Sequence, residues 1–140
     1  MDSPPDPYLL DRQVGFLLRR ATQRHLAIFA AAIPGLTPTQ FAALAQLSAS
    51  GPTSQNALGR ATAMDAATIK GVIDRLRTKG YVAVAASDGD RRRVLLSLTD
   101  AGRAAFDGLL PLARSITSDT LAPLTESEQK TLVSFLTRIG

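Results

Sequence analysis

The chain has no cysteine, no tryptophan and a single histidine among its 140 residues. Without cysteine there is no disulfide framework, no thiolate metal site and no thiol redox switch. With His25 as the sole imidazole, a transition-metal site is not expected either. No glycine-rich phosphate loop occurs. The closest pair of loop acids, Asp88 and Asp90, lies in a turn-forming stretch, where no burial is available to raise a carboxyl pKa. The sequence therefore offers no catalytic residue, and neither an enzyme nor a cofactor is expected. Long apolar runs are missing as well. The longest, Leu26 to Ile33, is too short to span a bilayer and ends at Pro34, so no membrane partner is expected. The opening residues MDSPPDPY have neither a basic segment nor an apolar core, and read as a flexible arm rather than a signal peptide. A reducing, cytoplasmic setting is expected. There are no internal repeats and no low-complexity tracts.

What is present is an ordinary globular composition, 45% apolar and 20% charged, at a length that supports one domain with its own core. Charge is unevenly placed. Sixteen Lys and Arg face twelve Asp and Glu, for a net +4. The segment from Gly51 to Arg93 holds eight cations (Arg60, Lys70, Arg75, Arg77, Lys79, Arg91, Arg92, Arg93) and four acids, so it carries the whole excess. A basic excess confined to one segment is a footprint for a polyanion, whereas a solvated helix with scattered charge is the plain alternative.

Periodicity predicts a mainly helical chain with a small β-hairpin. A first helix is expected from about Tyr8 to Ala32, with Leu10, Val14, Leu17, Ala21, Ile28 and Ala32 on one stripe, ended by Pro34-Gly35. The second starts at a capping box of Thr37 and Gln40 with Pro38 in the first helical position, and Leu36 and Phe41 are placed as a hydrophobic staple. It runs through Leu44 and Leu47 to the break at Ser50-Gly51-Pro52. A short third helix begins after Thr53 or Ser54 and holds Asn56 to Ala61. The fourth is capped by Asp65 and Gly80, and buries Ile69, Val72, Ile73 and Leu76. Its opposite face shows Ala67, Lys70, Gly71, Asp74, Arg75 and Thr78. Tyr81 to Ala86 and Val94 to Leu98 read as two strands, joined by Ser87-Asp88-Gly89-Asp90 and the run Arg91-Arg92-Arg93. Thr99 caps a fifth helix over Asp100 to Leu121, where Pro111 should introduce a kink. Beyond Pro123, Thr125 and Glu128 form a second capping box for a helix whose apolar face is Leu132, Phe135, Leu136 and Ile139. The expected architecture is a winged helix-turn-helix lobe over residues 37–98, flanked by dimerisation helices over 8–33 and 100–139. Those flanks are too long and apolar to stand alone.

A helix with a small, cationic outer face beside a cationic hairpin suits a DNA groove and its flanking phosphates. Lys70 and Arg75 are candidate DNA contacts or plain surface. Gly71 has a cost in mid-helix that calls for a reason, either close approach to DNA or packing against another helix. Ala66 and Ala67 are placed to touch thymine methyl groups. Thr68, nearer the buried edge, has a hydroxyl that can reach a phosphate. Ser54, Gln55 and Asn56 open the third helix, where side chains and backbone N–H groups bind phosphate oxygens, although Ser54 also serves as a plain cap.

The segments LTPTQFAAL (Leu36 to Leu44), IDRLRTKGYV (Ile73 to Val82) and DRRRVLLSLTDAGR (Asp90 to Arg103) together resemble the MarR family of bacterial transcription regulators. The resemblance covers nearly the whole chain. GPTSQNALGRATAMDAATIKGVIDRL further resembles the branch that includes repressors of nicotinic acid degradation. The resemblance implies a homodimer that binds a pseudo-palindromic DNA operator, usually as a repressor, and that a small aromatic acid often releases. In the wing it implies that Asp90 orients Arg92, two residues on, for a minor groove, with Arg91 and Arg93 beside it. A turn residue after Gly89 is the simpler reading of Asp90. One departure stands out. Many members carry Arg early in the first wing strand where this chain has Val84, followed by Ala85 and Ala86, and Arg93 partly replaces it. That departure keeps open a winged-helix protein-interaction module without specific DNA binding. For a sensor, the resemblance and the lone histidine on the first helix together suggest an aromatic carboxylate met by Arg20 or Arg24 and His25, with Thr22 and Gln40 as polar companions. The alternative for His25 is a satisfied core or interface residue.

Overall fold

The computed structural model describes residues 3–87 and 90–140, with only the backbone described at 87 and 90–93. After a single 3-10 turn at Leu10–Arg12, the described elements are α1 (Val14–Ala32), α2 (Pro38–Ser50), α3 (Gln55–Ala61), α4 (Ala66–Thr78), β1 (Val82–Ser87), β2 (Asp90–Leu98), α5 (Asp100–Leu121) and α6 (Glu126–Ile139). Helices α2 to α4 and the antiparallel hairpin form a winged helix-turn-helix. Helix α5 returns from the wing to pack on α1 and α2.

Local chemistry sets most of the boundaries. Both capping boxes form: Thr37 with Gln40 opens α2, with Pro38 in its first turn, and Thr125 with Glu128 opens α6. Helix α4 ends in a Schellman motif. Gly80 takes φ +80°, its N–H donates to Arg77 O at 2.9 Å, and Tyr81 N–H donates to Leu76 O at 3.0 Å. The turn between α3 and α4 holds Ala63 at φ +56°, a left-handed conformation rarely taken by a residue with a Cβ. Helix α5 runs as one element with Pro111 inside it, so the Asp107 carbonyl lacks its usual N–H partner. The turn from α5 to α6 is tied by Gln129, whose side-chain amide donates to Leu121 O and Leu124 O, both at 3.1 Å.

The core gathers Phe29 from α1 and Ile33 just after it, Ala43, Leu44 and Leu47 from α2, and Leu58 from α3. Ile69, Val72, Ile73 and Leu76 of α4 join Val82, Leu96, Phe106 and Ile116. Phe41 lies between Phe29 (6.2 Å, edge-on) and Phe106 (5.5 Å), linking the lobe to α1 and α5. The buried face of α4 is the one its periodicity predicted.

Three expectations need correction. The first helix does not begin at Tyr8: Gln13 is extended at φ −90°, ψ 134°, and its side-chain amide turns back to Leu9 O at 2.9 Å. Its predicted stripe is not buried along its length, because Leu10, Val14 and Leu17 are 58%, 66% and 43% exposed. The C-terminal part of the stripe does pack on the core, through the half-buried Ile28 and Ala32, beside the buried Phe29 and Ile33 that the stripe omitted. The arginine run is not a separate linker, since β2 already begins at Asp90. Register is regular from Val82↔Leu98 to Ala86↔Val94 and then jumps to Ser87↔Asp90, so the extra residues are accommodated within the second strand. A feature with no local sequence signal completes the wing. Thr53, before α3, pairs with Leu96 of β2 through N–H···O bonds of 3.0 and 2.7 Å.

Candidate nucleic-acid interface

Helix α4 is locked in place by one face and offers the other. Ile69, Val72, Ile73 and Leu76 are 1%, 7%, 2% and 0% exposed, while Ala66, Ala67, Lys70, Gly71, Asp74 and Arg75 are all exposed. Asp65 caps the helix, accepting from Thr68 N–H at 2.7 Å. That bond, reinforced by the Thr68 hydroxyl and Ala67 N–H, holds the Asp65 carboxyl below the usual aspartate range. Thr68 is exposed rather than at a buried edge, a correction that follows from its place in the first turn, outside the packed face. A Cβ added at Gly71 would meet nothing within 4 Å. Packing against another helix of this chain therefore does not explain that glycine.

Lys70 and Asp74 form an ion pair across one turn, Nζ to Oδ2 at 2.8 Å, with side chains 68% and 53% exposed. The Lys70 hydrogen bond comes first in holding the Asp74 carboxyl below its ordinary value, with Arg77 adding a charge effect. Arg60 and Arg75 have no acid within ion-pair distance among the described residues. Asp74 and Arg77 also line an open groove of about 560 Å³ between α4 and β1, with Thr78, Val82, Ala83 and Val84. Neither had been singled out as a site residue, although the four-residue spacing of Lys70 and Asp74 is visible in the sequence.

At the start of α3, Ser54 is a true cap, accepting from Ala57 N–H at 3.2 Å. Gln55 is half-buried and Asn56 exposed. Asn56 shares a small hollow with Arg60, Met64 and Ala66, which joins the beginnings of α3 and α4 on one surface. The wing positions Asp90, Arg91, Arg92 and Arg93 lie in β2, but their side chains, and with them the expected orientation of Arg92 by Asp90, fall outside the described residues. Val84 is 37% exposed, with Ala85 and Ala86 exposed beside it.

The five predicted sensor residues are divided among separate places. His25, half-buried on α1, has Nδ1 2.9 Å from Thr120 Oγ1 of α5. Thr120 spends its single proton on Ile116 O at 2.7 Å, so the bond from His25 must be donated by Nδ1–H. Arg24 donates to the carbonyls of Thr120 and, at 2.8 Å, Asp119, giving the C-terminal turn of α5 the cation it lacks in its own sequence. Arg20 lies over the Phe16 ring at 5.8 Å. Thr22 is exposed. Gln40 is 5% exposed, and its Oε1 accepts from Thr37 N–H at 3.2 Å. It lines a cleft of about 430 Å³ with Gly35, Thr37, Arg75, Thr78 and Lys79, on the α4 side of α2. Gln40 is thus engaged in the capping box of α2 and takes no part in the hydrogen bonds of Arg24 and His25.

With this geometry established, likeness to known proteins is informative. Residues 35–93 match the MarR family. The chain is 42% identical to the HTH-type transcriptional repressor NicR of Pseudomonas putida, over 95% of this chain and 85% of that protein. A Pseudomonas aeruginosa protein of known structure is 53% identical, with a TM-score of 0.92 over 94% of this chain and all of that one (100%). Bordetella bronchiseptica BpsR, whose DNA binding is regulated by 6-hydroxynicotinic acid, is 43% identical with a TM-score of 0.92, covering 96% of this chain and 97% of its own. Sequence and fold agree along almost the whole length: this chain is a member of the MarR family of transcription regulators.

Proposed function

We propose that this chain is a ligand-responsive repressor that binds a pseudo-palindromic operator as a homodimer and is released by a small aromatic acid of the nicotinate type. The observation that carries the DNA reading is the outward face of α4, small and cationic, on a helix whose every large apolar residue points inward. Residues 37–98 form the DNA-binding lobe, and the helices within 8–33 and 100–139 make the dimer. The dimer is supported by apolar surface that a single chain leaves uncovered. Besides the exposed start of α1, helix α6 has no buried residue, and Val133, Phe135, Leu136 and Ile139 are all exposed. Two α4 helices brought into successive major grooves stand about 34 Å apart. The effector class rests on the likeness to NicR and BpsR, and on an imidazole and a guanidinium side by side on α1. Control of aromatic or nicotinate catabolism follows from the same likeness. The effector shifts the equilibrium only by binding better to the conformer with the wrong half-site spacing.

Gel shifts on a selected palindrome test the reading. With roughly six to ten phosphate contacts, affinity falls about 10³–10⁵-fold between 50 and 200 mM salt. A flat salt response removes DNA binding and leaves a protein-interaction module. In the ligand arm, 6-hydroxynicotinate releases wild-type protein, whereas His25→Ala keeps operator binding and needs about tenfold more ligand. A His25→Ala protein with a much lower Tm and unchanged ligand response would make His25 structural.

A further inference from the structure

We propose that Lys70 and Asp74 act as one donor–acceptor couple that reads a G·C base pair in each half-site, which makes Asp74 a specificity-determining residue. The inference rests on the reading that α4 enters the major groove. The two charged heads stand 2.8 Å apart on the outward face of α4, with small residues Ala67 and Gly71 around Lys70 and Thr78 one turn beyond Asp74.

Helix stability does not account for the pair. Lysine lies N-terminal to the acid, the weaker order for a four-residue pair and opposed to the helix dipole. Both side chains are more than half exposed, a setting in which ion pairs contribute little. The ends of α4 are already satisfied, by Asp65 at the start and the Gly80 motif at the end.

On a surface that faces phosphates, an ionised carboxylate is repelled. Asp74 is therefore a cost on any DNA that gives it no hydrogen-bond donor. In the major groove a carboxylate accepts from cytosine N4, and a lysine donates to guanine O6 and N7. The guanine acceptors and the cytosine donor lie along one edge of one base pair, the complement of an ammonium and a carboxylate held in contact. A thymine in that place would set an apolar methyl group against the charged pair. Random sequences keep the repulsion without the compensating bond, so Asp74 discriminates by penalising wrong sites as well as by rewarding the right one.

The test is in vitro selection of duplex DNA by full-length wild type, Asp74→Asn and Lys70→Met, followed by affinities for the selected operator and for random-sequence DNA at one salt concentration. Wild type should enrich G·C at one position of each half-site, and changing that pair to A·T should cost it about tenfold in affinity. Asp74→Asn and Lys70→Met should flatten preference at that same position, and Asp74→Asn should bind random DNA more tightly than wild type. Asp74→Ser, with the same expected result, guards against an effect peculiar to asparagine. Variants that keep the wild-type preference, a shared position that is not G·C, or a fall in random-DNA affinity for Asp74→Asn would each overturn the couple alone. If wild type itself enriches no sequence, the groove reading of α4 falls and the couple with it.

Discussion

Two helical glycines, Gly102 in the first turn of α5 and Gly71 in the middle of α4, make opposite predictions from the same chemistry. A glycine within a helix costs up to about 1 kcal/mol relative to alanine, so each needs a reason. For Gly102 the reason lies inside the chain: an added Cβ would sit 2.1 Å from Tyr81 O and 2.9 Å from Tyr81 C. Neither partner can retreat easily. Tyr81 O accepts from Thr99 N–H at 3.0 Å, Tyr81 N–H is bound to Leu76 O, and the Gly102 N–H is itself held by Thr99 Oγ1 at 3.0 Å. Overpacking against backbone lies at the upper end of about 1–3 kcal/mol, and the gain in helix propensity offsets about 1 of it. Gly102→Ala should therefore lose about 2 kcal/mol, a Tm drop of roughly 6–10 °C for a chain of this size. Gly71→Ala meets nothing, so it should gain up to about 1 kcal/mol and raise Tm by roughly 3–5 °C. If the α4 backbone approaches DNA at that point, the same methyl group must weaken operator binding. Thermal unfolding followed by circular dichroism, at one protomer concentration because assembly shifts Tm, is paired with a gel-shift titration. A Gly102→Ala protein as stable as wild type would refute the close approach of α5 to the Tyr81 turn. A stabilised Gly71→Ala protein with undiminished operator affinity would refute the groove explanation of Gly71.

Three further outcomes are expected. Ala63→Gly relieves the left-handed turn between α3 and α4 and should stabilise by about 1 kcal/mol or slightly less; a lower Tm would show that the Ala63 methyl is needed there. Arg24→Ala strips two hydrogen bonds from the end of α5 and should cost about 1–2 kcal/mol in urea unfolding; Arg24→Lys should recover only part, because it lacks the forked donor, and full recovery would refute the bidentate account. Asp65, Asp74 and Glu128 all have depressed folded-state pKa values, so their stabilisation is present above the unfolded carboxyl range and is lost as pH falls through the folded values. Urea unfolding should weaken from about pH 5 downward, with a shallower acid slope in Asp65→Asn, and an unchanged slope in that variant would sink the assignment to Asp65.

Much of this protein was settled by short-range chemistry that the sequence carries openly. Thr37, Pro38 and Gln40 close a capping box within three residues, as do Thr125 and Glu128, because each pair of partners is brought together by the first helical turn itself. The spacing of Ile69, Val72, Ile73 and Leu76 selects the buried face of α4, and with it the outward display of Lys70, Gly71 and Arg75, since 3.6 residues per turn leaves no other arrangement. What only the tertiary structure decided depends on residues far apart in the chain. Periodicity marked α1 as amphipathic but not which half meets α5, and Phe29 and Ile33 are buried while Val14 and Leu17 await a second surface. Arg24 is drawn to the carbonyls of Asp119 and Thr120 at the end of α5, and His25 to the Thr120 hydroxyl, some ninety-five residues away and connected to them by no local pattern. The Thr53 bridge to Leu96 and the closeness of Gly102 to Tyr81 have the same origin: they exist only once the wing has folded back and brought backbone against backbone.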